Sequence, residues 1–371
     1  MKKRVLILYI SRYSGHYYAA EAIEEGIKEF SPDTHVEKMN ALDYTNPVLG
    51  RLINRVYLQV IKRRPHVWGD MYDNPSVLEK TRNTRRAVHR YNMHKIKKMI
   101  AAKRPDVVLC TQAFPCGMVA DYKVISAGGP KLIGVLTDYA PHSYWLHDAV
   151  DHYVVPDEKT GALLAKKGIA SGKINPLGIP VSLKFRQAHD RKITLRRLGL
   201  IPERPTILMM GGSQGLGPME ELLNAVTLNG RKHFQAIVVT GRNMRLFRKL
   251  VRASKNDKGT VVLPFADNVD ELMDASDIIV SKAGGLTTAE ALSKKLPMVI
   301  IDPIPGHERR NADHLVAEGA AAEVFSFSEL KNVLDEIFER PERLSAMRES
   351  AGRLSKPLSS LDIAKLALGV D

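Results

Sequence analysis

The stretch Lys282-Ala-Gly-Gly-Leu-Thr-Thr-Ala-Glu290 follows an apolar run, Ile278-Ile279-Val280, and has residue types suited to holding a phosphate. The apolar run predicts a buried strand. Gly284 and Gly285 then open a helix through Leu286, Thr287, Thr288 and Glu290. Glycines let a backbone come close to an anion, and a helix start offers unpaired N–H groups and the positive end of its dipole. The turn therefore suits a diphosphate, with Glu290 further along the helix able to accept hydrogen bonds from a ribose. A second predicted strand, Met298–Ile301, ends in a Pro-rich loop that leads to His307, Glu308 and Asn311. Such groups at the carboxyl ends of parallel strands predict a nucleotide site. A strand–Gly–Gly–helix turn is also common in α/β proteins that hold no phosphate, so the argument depends on how often it recurs.

Three more loops of this kind occur in the same half. Gly211-Gly-Ser-Gln-Gly-Leu-Gly217 follows a predicted strand, Thr206–Met210, and supplies Gly212, Ser213 and Gln214. Gly241-Arg242-Asn243 follows Ala236–Thr240, and Phe265-Ala266-Asp-Asn268 follows Val261–Pro264. The 211–217 loop lacks the closing Gly-Lys-Ser/Thr of a P-loop, which argues against an ATPase. It also lacks Gly-x-Gly-x-x-Gly with an acid about twenty residues on, which argues against the usual dinucleotide fold.

In the first half, His16 follows the predicted strand Val5–Ile10 at a Ser14-Gly15 turn. An imidazole there could take a proton from a hydroxyl near neutral pH; it could equally be a first-turn helix residue satisfied by the backbone. Asp138 ends the predicted strand Leu132–Thr137 and is a candidate second base or partner for His16; a strand-end cap is the alternative reading. Further strands are predicted at Asp106–Cys110 and His152–Val155. His142, His147 and His152 lie close in sequence, but their spacing matches no standard ligand pattern, and no metal site is expected.

Strands alternating with helices predict an α/β protein of parallel sheets covered by helices. The Pro- and Gly-containing segment Asn175–Val181 reads as a boundary. It divides the chain into residues 1–180, residues 181–355 and a C-terminal helix, 356–371, expected to pack near the domain junction. The 371 residues suffice for two domains. The opening Met1-Lys-Lys-Arg-Val-Leu-Ile-Leu-Tyr-Ile10 reads as a first strand, not a signal peptide, because no small-residue cleavage site follows it. No apolar run reaches the roughly 18–20 residues that cross a bilayer. Cys110 and Cys116 are too few for a disulfide framework, which fits a reducing compartment.

The net charge is +14, which points to an anionic partner. Much of the excess lies between Arg51 and Arg104. The run from Arg51 to Arg64 carries Arg51, Arg55, Lys62, Arg63 and Arg64 among bulky apolar residues, with no acid. That pattern suits a helix lying on anionic lipid, and equally a solvated helix packed by its apolar stripe. No recognisable nucleic-acid module is present, so nucleic acid is not expected as a partner.

Together these motifs resemble the diacylglycerol glycosyltransferases, the group that includes bacterial processive diglucosyldiacylglycerol synthases and plant monogalactosyldiacylglycerol synthase. The residues that carry the likeness are Ser14-Gly15-His16, Thr137-Asp138-Tyr139, Gly211-Gly-Ser-Gln214, Gly241-Arg-Asn243, Lys282–Glu290 and Pro303-x-Pro-Gly-x-Glu-x-x-Asn311. The peptidoglycan lipid-intermediate N-acetylglucosaminyltransferase is a more distant relative. The resemblance covers nearly the whole chain and implies a GT-B fold, two Rossmann-like domains facing a cleft. It implies inverting, metal-independent transfer of a hexose from a UDP-sugar to a diacylglycerol-type lipid, with no cofactor. It also implies a cytoplasmic protein, peripheral on the inner face of the cell membrane. By this likeness His16 is the base, Glu290 holds the ribose, Phe265 and Ala266 border the uracil, and Gly284, Gly285 and Leu286 face the diphosphate. Glu308 and Asn311 would meet the sugar or the nucleotide, and Arg242 or Arg309 would meet the leaving charge. Two positions depart from the family pattern. The turn Ser11–His16 lacks the acid often found there, leaving Asp138 as its substitute, and His307 stands where glutamine is usual. Two other readings stand beside this one: a UDP-sugar epimerase on the same fold, which needs no lipid, and transfer to another lipid alcohol.

Overall fold

The computed structural model describes residues 3–12, 14–45, 91–227 and 234–370. The basic run Arg51–Arg64, with the expected lipid-contacting Arg51, Arg55, Lys62, Arg63 and Arg64, lies outside the described residues. Among the described residues, no helix is long and apolar enough to cross a membrane.

The chain forms two compact units. Unit 1 holds Met1–Leu183, Ile304–Arg310 and Lys356–Asp371; unit 2 holds Lys184–Pro303 and Asn311–Ser355. Unit 1 contains β1 (Arg4–Tyr9), α1 (Gly15–Phe30), β2 (His35–Asn40), α2 (Ala41–Thr45), a helical stretch at 91–103, β3 (Val107–Cys110), α3 (Ala113–Ile125), β4 (Lys131–Val135), β5 (His152–Val154), α4 (Glu158–Lys166) and β6 (Ile174–Asn175). All its strands are parallel, in the order β2-β1-β3-β4-β5-β6. The central strands are buried on both faces, as parallel sheets require, so they read as continuous apolar runs.

Unit 2 contains α5 (Arg191–Arg197), β7 (Thr206–Met210), α6 (Met219–Thr227), β8 (Gln235–Val239), α7 (Met244–Ala253), β9 (Thr260–Leu263), α8 (Val269–Asp274), β10 (Ile278–Ser281), α9 (Gly285–Ser293) and β11 (Met298–Ile301). After α10 (His307–Ala317), whose first residues belong to unit 1, come β12 (Ala321–Val324), α11 (Phe327–Glu339) and α12 (Pro341–Leu354). The second sheet is also parallel, in the order β12-β11-β10-β7-β8-β9. Both sheets reverse direction once, unit 1 between β1 and β3 and unit 2 between β7 and β10. Loops leaving such neighbours diverge to opposite faces and open a crevice at the carboxyl edge.

The last helix, α13 (Ser359–Leu368), packs in unit 1 against α1. Ile363, Ala364 and Ala367 of α13 share one buried cluster with Ala20, Ile23 and Ile27 of α1. The contact is close at Gly26, where a Cβ would lie 2.3 Å from the Ser360 carbonyl oxygen. The carboxyl end of α13 is bound by Lys3, which donates to the Leu368 carbonyl, and by Lys131, 2.6 Å from the Leu366 carbonyl. Cations there satisfy unpaired carbonyls and oppose the negative end of the helix dipole. Gly26→Ala is expected to force α13 off α1 and cost about 2 kcal/mol, as overpacking does. A thermal unfolding midpoint equal to that of the unsubstituted protein would refute the close packing.

Candidate functional site

In unit 1 the carboxyl edge at the switch point gathers groups from three strands. After β1 the backbone turns at Ser11, whose φ of 63° lies in the left-handed region that non-glycine residues rarely adopt. The Ser11 carbonyl accepts from the Ser14 hydroxyl at 2.7 Å, and that hydroxyl accepts from the Tyr17 N–H at 3.3 Å as the N-cap of α1. This turn puts His16 in the first turn of the helix. From the end of β3, Thr111 donates its hydroxyl to the His16 carbonyl at 2.9 Å. Beyond β4, the Thr137 hydroxyl lies 3.3 Å from His16 Nδ1.

Four ionisable side chains act on one another here. Burial pushes the His16 imidazole below its ordinary value; Asp138 and the Thr111 backbone oppose that, and His307 adds to it. Burial pushes His142 down to about 4, with Asp138 opposing and His307, His16 and Lys167 adding. The structure thus brings together His16, Asp138 and His307. It adds His142, which follows Asp138 and stacks edge-on to Tyr144 at 5.4 Å. The other two histidines of that stretch are engaged elsewhere: His147 with the Tyr144 carbonyl at 3.1 Å, and His152 with Asn175 at 3.5 Å. With both His16 and His142 lowered, this edge holds two neutral imidazoles at neutral pH, and a neutral imidazole has a ring nitrogen able to accept a proton.

In unit 2 the four loops after β10, β7, β8 and β9 lie side by side along the carboxyl edge, in that order. The loops after β7 and β8 interlock. A Cβ at Gly215 would lie 2.1 Å from the Thr240 carbonyl oxygen, and one at Gly241 would lie 2.5 Å from that of Ser213; both glycines have positive φ. The Arg242 N–H donates to the Ser213 carbonyl at 2.9 Å. Asn243 caps α7 through the Leu246 N–H at 3.0 Å. The Arg242 guanidinium lies 5.1 Å from the Phe265 ring centroid, which joins the β8 and β9 loops. Gln214 is exposed beside them, while Gly212, Ser213, Phe265 and Ala266 are half-buried.

Gly284 is the N-cap of α9 and offers no side chain to its first N–H groups. Gly285, Leu286 and Thr287 form the first turn of that helix. Glu290 lies further along α9, where desolvation pushes its carboxyl up to about 8; Lys184 opposes the rise and Asp270 adds to it. After β11 the backbone takes a positive φ of 48° at Asp302. Asn311 donates to the Ala283 carbonyl at 2.9 Å, tying α10 to the turn before α9. Glu308, 6% exposed, accepts from the Ile304 N–H at 2.8 Å within unit 1. Sequence reasoning missed Thr111 and Lys184. Thr111 carries no motif, and Lys184 is far in sequence from the groups it meets.

Because His16 and His142 take protons less readily folded than unfolded, stability is full above about pH 6.5 and falls as pH drops towards about 4. His142→Gln is expected to flatten that fall, measured by thermal unfolding across pH; an unchanged slope would exclude His142 as a source.

Two family models divide the chain between them. Residues 16–181 match monogalactosyldiacylglycerol (MGDG) synthase, and residues 206–365 match the glycosyltransferase family 28 C-terminal domain. The processive diacylglycerol beta-glucosyltransferase of Staphylococcus saprophyticus is 26% identical over 377 residues, covering 98% of this chain and 92% of that protein. Its namesake from Bacillus subtilis is 26% identical over 367 residues, with the same coverage, 98% and 92%. Among solved structures, Acinetobacter baumannii MurG is 14% identical with a TM-score of 0.65, covering 99% of this chain and 100% of that one. A putative UDP-N-acetylglucosamine 2-epimerase from Listeria monocytogenes is 15% identical with a TM-score of 0.63, covering 100% of this chain and 98% of that one. At these identities the structural likenesses speak for the fold, which is GT-B, two Rossmann-like halves.

Proposed function

We propose that the chain is a diacylglycerol glycosyltransferase that transfers a hexose from a UDP-sugar to a diacylglycerol-type lipid; the match of residues 16–181 to monogalactosyldiacylglycerol synthase and of residues 206–365 to the glycosyltransferase family 28 C-terminal domain supports this reading. Transfer occurs at a membrane surface, with inversion at the anomeric carbon and without a bound metal. The observation that carries this reading is the row of four loops at the carboxyl edge of the second sheet, flanking its switch point and ending in α9 with Glu290.

In this reading unit 2 holds the donor. Phe265 and Ala266 border the uracil, Glu290 takes the ribose hydroxyls, and Gly284, Gly285, Leu286 and Thr287 face the diphosphate with Gly212, Ser213 and Gln214 beside them. Asn311 of unit 2 meets the sugar or the nucleotide. The N-terminus of α9 and the Arg242 guanidinium offset the charge that develops on the leaving UDP. In unit 1, His16 takes the proton from the lipid hydroxyl as the oxygen attacks the anomeric carbon. Asp138 stabilises the imidazolium that forms. Relatives are named for beta-glucosyl transfer, and a UDP-glucose donor carries its sugar in alpha linkage, so a single displacement inverts the centre. An excess of cations, net +14 for the chain, fits a protein that works peripherally on anionic lipid, the basic run Arg51–Arg64 being the candidate contact.

The deciding experiment measures UDP release from UDP-glucose, UDP-galactose and UDP-N-acetylglucosamine, with and without anionic vesicles containing diacylglycerol. Release that requires the lipid is expected. Turnover of the sugar nucleotide that ignores the lipid would replace this reading with an epimerase. His16→Ala is expected to lower kcat by about 10²–10⁴-fold with UDP affinity unchanged; wild-type turnover would remove His16 from the reaction. Ribose hydroxyls donate to the ionised form of Glu290, whose carboxyl titrates near 8. UDP affinity is therefore expected to rise with pH and level off above about 8, and Glu290→Gln to abolish that dependence in calorimetric titration. A flat profile in the wild-type protein would contradict the assigned role.

A further inference from the structure

The opening segment of unit 2, Lys184 to Asp190, meets the candidate nucleotide site at several points. Two of its side chains converge on one buried carboxylate, Asp270, which is 4% exposed in the first turn of α8. Lys184 Nζ lies 3.7 Å from Asp270 Oδ1, and His189 Nε2 lies 2.8 Å from Oδ2, so each oxygen has its own partner. Lys184 Nζ also donates to the Asp267 carbonyl, inside the Phe265–Asn268 loop that precedes α8. Further along, the His189 N–H donates to Asp274 Oδ2 at 3.0 Å, and the same oxygen accepts from Lys294 Nζ at 2.6 Å. Lys294 closes α9, the helix of Glu290, and donates to the Gln187 carbonyl. One short segment is therefore bonded both to the loop read as the uracil border and to the helix read as the ribose holder.

The charges fit the same picture. A buried carboxylate keeps its charge only where partners replace its lost hydration. Asp270, so held, is a negative charge acting on Glu290, and Lys184 is the cation that opposes it. The ionisable groups of this cluster are Lys184 and His189 of the segment, Asp270, Glu271 and Asp274 of α8, Arg197 of α5 on Glu271, and Lys294 and Glu290 of α9.

We propose that Lys184 is a positioning residue of the donor site: it fixes the Phe265–Asn268 loop through the Asp267 carbonyl and, with His189, holds the Asp270 carboxylate in the first turn of α8. This rests on the reading of unit 2 as the UDP site. Without the ammonium, the loop loses a donor at its carbonyl, Asp270 keeps His189 alone of these two partners, and the cation that opposes the rise at Glu290 is gone.

The test is calorimetric titration of UDP into the full chain from about pH 6.5 to about pH 9, spanning the Glu290 transition, for the wild type, K184M, K184R, E290Q and the K184M/E290Q double variant. The Lys184 side chain is 38% exposed, a setting in which methionine can follow the same stem. K184M is expected to weaken UDP binding at neutral pH about 10-fold, the effect of losing one charge-assisted contact. It should also move the levelling-off of affinity to higher pH. K184R should restore both, and the double variant should show no pH dependence. Wild-type affinity in K184M, or weakened affinity with an unmoved pH profile, overturns the proposal. Failure of UDP to bind the wild-type protein would instead sink the reading of the site itself. Binding to the wild type that K184M leaves untouched would sink only the role of Lys184.

Discussion

Every strand pairing in the two sheets is parallel, so each strand delivers its carboxyl end to the same edge of its sheet. Loops there can share a ligand however far apart they are in sequence. The one reversal of strand order in each sheet adds a crevice, because the connections on either side of it leave towards opposite faces. In unit 1 this brings Ser11, His16, Thr111 and Thr137-Asp138 to one edge; in unit 2 it aligns the loops after β10, β7, β8 and β9.

Positioning within those edges depends on backbone contacts too close for side chains. Gly215 and Gly241 let the β7 and β8 loops touch through their carbonyls, and both take positive φ, so a residue with a Cβ would face a steric clash and a conformational cost together. Ser11 and Asp302 take left-handed backbone without being glycine; Asp302 directly follows β11 and Ser11 lies two residues beyond β1. Strain of this sort persists where the surrounding structure fixes it, and here it falls next to the candidate chemistry in both units.

Electrostatics then separates the roles of similar groups. His16 and His142 are held neutral by burial, in company with Asp138 and His307. Glu290 is pushed the other way, towards its protonated form, and a neighbouring cation and carboxylate pull on it in opposite senses. The overall charge of +14 favours anionic partners, while the local charges set which proton is held at which atom.

The sequence by itself determined the core strands, the loops that follow them and the likeness to the diacylglycerol glycosyltransferases. Buried parallel strands must be continuous apolar runs, and phosphate-binding turns must be rich in glycine, so both leave local marks. Strands β2, β6 and β12 escaped that reading. Each is the outermost or a terminal strand, only partly buried, and His-Val-Glu-Lys-Met-Asn or Ala-Ala-Glu-Val carries no long apolar run. Only the tertiary structure decided which side chains meet. The company of His307 with His16 and His142, the docking of α13 on Gly26 of α1, and the convergence of Lys184 and His189 on Asp270 all join residues far apart in the chain. Such pairings have no local periodicity or motif, because they are fixed by strand order and helix packing and not by neighbours in sequence.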